Sequence, residues 1–249
     1  MTTKTEAYRE QLKRIENWDS YLLEESGLPG PRGNIELARV VAEEGNETLF
    51  LRYLTFDAKD APTNTPHEFL AFCGTLGLGR LLSEKNTTHL GTLHRLASDP
   101  RWRIREAVAM ALQRYGKADM EALLEEMMVW SHGNPLEQRA AVAALCEPNL
   151  LVDEAHIREV LGLLDTITGG IQNMVNRKSE AFKALRKGLG YCWSVAVAAL
   201  PEVGKPMMEK WFHNQDNDTI WIMKQNLRKK RLARVDADWV NKWKAHYEM

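Results

Sequence analysis

The 249-residue chain predicts an all-α fold, an α-α superhelix of about six or seven stacked helix pairs. Three observations predict it. Apolar residues recur at the 3.6-residue helical spacing, and no segment shows a convincing period of two. The residues between the apolar stretches are those that start and stop helices. Short Ala/Val/Leu-rich segments recur along the chain, as a stacked array requires.

The elements follow in order. A helix near 5–25 leads into the Gly/Pro-rich loop 26–33, and helices near 35–45 and 46–57 follow, with Gly45 placed where a left-handed C-terminal cap belongs. After a loop over 57–65, Thr65-Pro-His-Glu68 has the pattern of a capping box with proline at the first helical position, opening a helix over 66–82. Gly74-Thr-Leu-Gly-Leu-Gly79 lies inside that helical pattern. No strand precedes it, so it lacks the context of a phosphate loop. A helix near 88–97 precedes one over 100–115, which opens at Asp99-Pro100 and closes at Gly116. A helix over 118–131 comes next, and Asn134-Pro-Leu-Glu137 repeats the capping chemistry ahead of 135–146. The remaining helices are expected near 154–168, 176–187, 189–200, 204–213, 217–231 and 237–247. Connections of two to eight residues suit antiparallel neighbours. Residues 1–249 are read as one domain, with an N-terminal helix and loop over 1–33 and repeats over 34–249.

Composition narrows the function classes. Hydrophobic content of 44% and charged content of 27% are those of an ordinary globular protein. No run of about 18 apolar residues is present, and the first residues lack the apolar core of a signal peptide, so the expectation is a cytoplasmic chain without a membrane partner. Cys73, Cys146 and Cys192 are far apart, show no CxxC spacing and sit among apolar neighbours, which predicts buried free thiols. The seven histidines form no HxxxH or HExxH pair, so no metal site is expected, nor any cofactor.

The net charge of −1 conceals an asymmetry. Residues 1–170 carry 18 Lys+Arg against 26 Asp+Glu, a net of −8, whereas residues 177–234 carry 13 against 5, a net of +8. A cationic block of this size suits a polyanion, because neutralised phosphates release counterions. Within it Trp221, Lys224, Gln225 and Arg228 follow i, i+3, i+4, i+7 spacing, and Lys229, Lys230, Arg231 and Arg234 extend the basic run. An aromatic flanked by cations offers stacking and phosphate pairing together. The same cations at a helix C-terminus also complement the helix dipole with no partner at all.

The stretch Asp99-Pro-Arg-Trp-Arg-Ile-Arg-Glu-Ala-Val-Ala-Met-Ala-Leu112 resembles the second helix of a HEAT repeat. Arg105–Leu112 aligns with Gln138–Leu145 at an offset of 33, and Ala141-Val-Ala-Ala-Leu145 recurs verbatim as Ala196–Leu200. The resemblance is clearest over 88–146 and implies a right-handed helical solenoid that binds partners along a concave groove. It implies a capping role for Asp99 and a tie between neighbouring units for Arg105. Ile104, Val108, Ala111 and Leu112 form the inward stripe, and Trp102 lies about 160° from Ile104, on the face shared with Glu106.

The chain also resembles the bacterial HEAT-like alkylpurine DNA glycosylases, which carry a Trp-x-x-x-Asp element on a basic groove. Trp102-Arg-Ile-Arg-Glu106 matches it with Glu for Asp, the later element places an arginine at Arg139, and Trp221–Arg228 followed by Ala237–Val240 is similar to that family's last helix pair. The family's second groove tryptophan falls near Arg228. That resemblance implies that Trp102 and Trp221 cradle a lesion, Glu106 stabilises a cationic sugar, and Arg139 and Arg228 hold phosphates. The first expectation is a non-catalytic binding module for duplex DNA or another polyanion. Base excision and a protein–protein scaffold are the alternatives.

Overall fold

The computed structural model describes residues 3–248, and they are all-helical: fifteen α-helices and two short 3₁₀ turns, with no strand among the described residues. The chain forms two compact units, Met1–Ala118 and Asp119–Met249.

The first unit contains α1 (Lys4–Arg14), α2 (Asp19–Glu24), α3 (Ile35–Glu44), α4 (Glu47–Tyr53), α5 (Pro66–Ser83), α6 (Leu90–Leu96) and α7 (Trp102–Ala118). Its axis is α5, buried along most of its length, with α2, α3, α4 and α7 packed around it. The glycines of the Gly74–Gly79 stretch make that packing possible. A Cβ on Gly77 would lie 2.3 Å from the Phe50 ring, and one on Gly79 2.5 Å from Ala111 Cα, so helix axes approach here as side-chain-bearing residues would not allow. The stretch is helical, as expected, and its role is close packing.

The second unit contains α8 (Met120–Trp130), α9 (Pro135–Leu145), α10 (Glu154–Gly170), α11 (Glu180–Ala199), α12 (Pro201–Phe212), α13 (Asn217–Leu227), α14 (Lys230–Val235) and α15 (Ala237–His246). Here α11 is the hub, packed on α9, α10, α12, α13 and α14. Trp130, Trp193 and Trp239 are buried in the unit's core, and four indole N–H groups have clear partners: Trp130 on Glu126, Trp193 on Thr168, Trp211 on Asp165, and Trp239 on Glu209. All three cysteines are buried free thiols, and burial pushes the Cys73 and Cys146 thiols up.

Several local expectations are corrected. The helix read over 5–25 breaks, because Asn17 Oδ1 accepts the Asp19 N–H and the Trp18 indole donates to the Leu12 carbonyl. Residues 176–187 and 189–200 join into the single helix α11; Gly188 does not interrupt it but sits against Val142 and Arg139 of α9. The helix read over 217–231 ends at Leu227 and restarts at Lys230, with Lys229 extended between them.

Caps behave unevenly. Asn134 forms the full capping box with Glu137. Thr65 does not: its hydroxyl donates to the Pro62 carbonyl, and Glu68 turns inward to accept from the Asn64 N–H and from Arg103. Gly45 is extended at φ −74°, so it is no left-handed cap, and Gly116 lies within α7, which runs on until Asp119 caps α8.

Candidate functional site

The Asp99–Leu112 stretch builds the start of α7 through two buried arginines, Arg101 and Arg103. Asp99 Oδ1 takes the Arg101 N–H at 2.8 Å, and both of its oxygens hold the Arg101 side chain, at 2.9 and 2.8 Å. Arg101 Nη1 then donates to the carbonyls of Phe56, Asp57 and Ala61, so the loop before α5 is fastened to the start of α7. Arg105 donates to the Asp99 and Pro100 carbonyls at 2.6 and 3.0 Å.

Arg103 makes the second fastening. Nη1 donates to Glu68 Oε2 at 3.1 Å, while Nη2 donates to the Gly30 carbonyl at 2.6 Å and to Asn64 Oδ1 at 3.2 Å. Its guanidinium also lies 4.4 Å from the centroid of the Trp102 ring. Arg103 Nε and Glu68 Oε1 are buried without hydrogen-bond partners.

Trp102 points where its helical phase predicts, away from the Ile104 stripe, and is 45% exposed. Trp102 and Glu106 line one pocket of about 270 Å³ whose remaining walls are largely apolar and come from α3, α5, α7 and the loop before α3. The expected aromatic wall with a nearby carboxylate is therefore present within the first unit.

The basic block lies in the second unit. Five of its thirteen cations are matched by carboxylates: Arg177 with Asp216 and Asp218, Lys183 with Glu180, Arg186 with Asp218, Lys205 with Asp236 and Lys210 with Asp165. Burial raises the Asp216 carboxyl, but the Arg177 guanidinium and the N–H groups of Thr219 and Asp218 outweigh it and hold the group below its usual range. Among the described residues, no carboxylate lies within 4 Å of Lys187, Lys224, Arg228, Lys229, Lys230, Arg231 or Arg234.

Tyr191 gathers several of these. It sits on α11 one turn after Lys187 and is 41% exposed. The Arg231 guanidinium stands 4.5 Å and the Lys229 ammonium 5.5 Å from its ring centroid, and Arg231 also donates to its hydroxyl. The break between α13 and α14 is what lets Lys229 and Arg231 close on one ring. Arg139 reaches the same helix at Gly188, while Arg228 and Lys230 are exposed.

The expected single face of α13 divides. Trp221 and Gln225 pack on Gly190 of α11, with the Arg186 guanidinium 4.4 Å from the Trp221 ring. Lys224 instead lies 5.1 Å from the Tyr247 ring. Trp221 is therefore a half-buried packing residue covered by a cation, not an open stacking platform. The turn itself is set by Asn226, fully buried, which donates to the Leu189 and Ile222 carbonyls and accepts the Ser194 N–H. Sequence reasoning missed Tyr191. Its signal was the Lys187-x-x-x-Tyr191 spacing, which puts a cation and an aromatic on one helical face.

Among the described residues no group of three His, Cys, Asp or Glu is placed to hold a metal ion, and no helix is long and apolar enough to cross a membrane. No protein-family model, curated protein or solved structure matches the chain.

Proposed function

We propose that the chain is a non-catalytic binding module of HEAT-like build whose C-terminal half holds a nucleic acid through its phosphates. The observation that supports this most directly is the pair Lys229 and Arg231 on the Tyr191 ring, one turn from Lys187 on α11 and flanked in sequence by the exposed Arg228 and Lys230, with no carboxylate paired to any of the five among the described residues. Evenly solvated charges would scatter or pair. Here the acidic residues neutralise the neighbouring Arg177, Lys183 and Arg186 and leave this group in excess.

The test is binding to labelled duplex DNA between 50 and 200 mM salt. Five neutralised phosphates give a slope of about −4.5 in log K against log salt, so affinity should fall roughly 500-fold over that range. Lys230→Ala should flatten the slope by about 0.9. Absent or salt-insensitive binding sinks the nucleic-acid reading and leaves a protein scaffold.

The base-excision alternative draws on the pocket wall that Trp102 and Glu106 share. Against it stands the Arg103 guanidinium over the Trp102 ring, where a cationic alkylated purine would meet a like charge. Release of an alkylated purine from duplex DNA, lost in Glu106→Gln, would establish it. A protein that binds DNA and frees no base leaves the binding module.

A further inference from the structure

Cys146 and Cys192 are distant in sequence and adjacent in space. The register of α9 against α11 brings them together. Gly188 faces Arg139 and Val142 of α9, and one turn later Cys192 faces Val142 and the end of α9. The Cys192 thiol donates to the Val142 carbonyl at 3.3 Å, and the same carbonyl accepts the Cys146 N–H at 3.0 Å. The two side chains are in turn within hydrogen-bonding reach of each other. Cys73 lies elsewhere, buried on α5 in the first unit.

Both thiols of the pair are buried, at 5% and 3% exposure, which protects them at rest. Burial holds the Cys146 thiol up against the opposing Arg231 charge, so little thiolate is present to react by chance. Their positions differ in one respect. Cys192 lies in the interior of α11, whereas Cys146 caps the end of α9, just before Glu147 and Pro148. Helix ends open more readily than helix interiors, so a small oxidant reaches Cys146 first.

We propose that Cys146 and Cys192 form a reversible disulfide, a redox lock that ties the end of α9 to the hub helix of the second unit. With hydrogen peroxide as the oxidant, the Cys146 thiolate takes one peroxide oxygen and becomes a sulfenic acid. The hydroxide released takes up the proton that the thiol lost. The Cys192 sulfur then attacks the Cys146 sulfur, the S–O bond breaks, and a second water leaves. Two thiols and one peroxide give one disulfide and two waters. The new bond closes a loop that contains α10, which restrains the unfolded chain and favours the folded one.

Incubation of the folded full chain with hydrogen peroxide, then unfolding, maleimide labelling and mass spectrometry, tests the pair. The expected product is about 2 Da lighter before labelling, takes one label instead of three, and yields a linked Cys146–Cys192 peptide. Dithiothreitol should restore all three labels, and Cys73→Ala should form the same link. The link should form roughly tenfold faster, or more, than any link through Cys73. The oxidised chain should unfold at a higher urea concentration than the reduced one. Three labels under conditions that fully oxidise glutathione, a link through Cys73 formed as fast, or sulfinic acid in place of the disulfide overturns the pair. A urea midpoint unchanged or lowered by oxidation overturns the lock.

Discussion

Replacing Glu68 by Gln is expected to destabilise the first unit by about 3–5 kcal/mol, and the figure follows from where its partner sits. The Glu68 side chain is fully buried and the Arg103 side chain is 7% exposed, so the pair meets away from water. Gln keeps the shape and can still accept the Asn64 N–H, but it leaves the guanidinium as an uncompensated buried charge, which is the costly case. An exposed ion pair would contribute only about 0–1 kcal/mol. The loss also spreads, because Arg103 holds Gly30 and Asn64, and Asn64 Oδ1 in turn accepts the Gly30 N–H at 3.0 Å. Urea unfolding of the chain supplies the measurement, with hydrogen exchange at α5 and α7 amides reporting this unit alone. In Glu68→Leu/Arg103→Met both charges go, and the double-mutant cycle should show coupling of about 2 kcal/mol or more. A Glu68→Gln loss under about 1 kcal/mol, or an additive cycle, refutes the reasoning.

Two glycines in helix interiors should respond with opposite signs to alanine. Gly79→Ala drives a Cβ to 2.5 Å from the Ala111 backbone, so overpacking of about 1–3 kcal/mol or more outweighs the gain in helix propensity, whereas Gly162 in α10 has open space and should gain about 0.5–1 kcal/mol, both read from melting transitions. Asp19 should contribute an acid-dependent stability. Hydrogen bonding from Arg52 outweighs burial and, with the Tyr53 hydroxyl, holds its carboxyl below the usual range. A depressed folded-state value means the contribution is present above the unfolded value of about 3.9 and lost as pH falls through the folded one. Urea midpoints of wild type and Asp19→Asn should therefore differ at pH 7 and draw together as pH falls below about 3.9 and through the lowered folded-state value; a constant gap counts against the assignment.

The existence of most helices was legible because their signals are local. The Asn134 box, the Asp99 turn and the 3.6 spacing each act within about one turn. The errors arose where a distant residue took over a local one. Glu68 sits at the third position of a textual capping box, yet Arg103, thirty-five residues on, draws its carboxylate inward and leaves Thr65 to a turn of its own. Gly188 looks like a helix stop, but α11 runs through it unbroken beside Val142 and Arg139 of α9, as a single glycine inside a well-packed helix costs only about 1 kcal/mol.

The candidate sites divide along the same line. Trp102 and Glu106 were found because helical phase alone places them on one wall, and the pocket that gives the wall meaning needed Leu28, Ile35 and Phe69 from three other segments. The basic run 228–231 was visible as charge, but its geometry depended on Asn226. Three hydrogen bonds from that one buried amide fix the end of α13 against α11 and turn the chain so that Lys229 and Arg231 meet Tyr191. A continuous helix over 217–231 would separate those two residues by about 200° of helical phase. The polyanion reading therefore rests as much on one buried asparagine as on the cations it positions, and a like-charged pair on one aromatic ring is an arrangement that an anion would relieve.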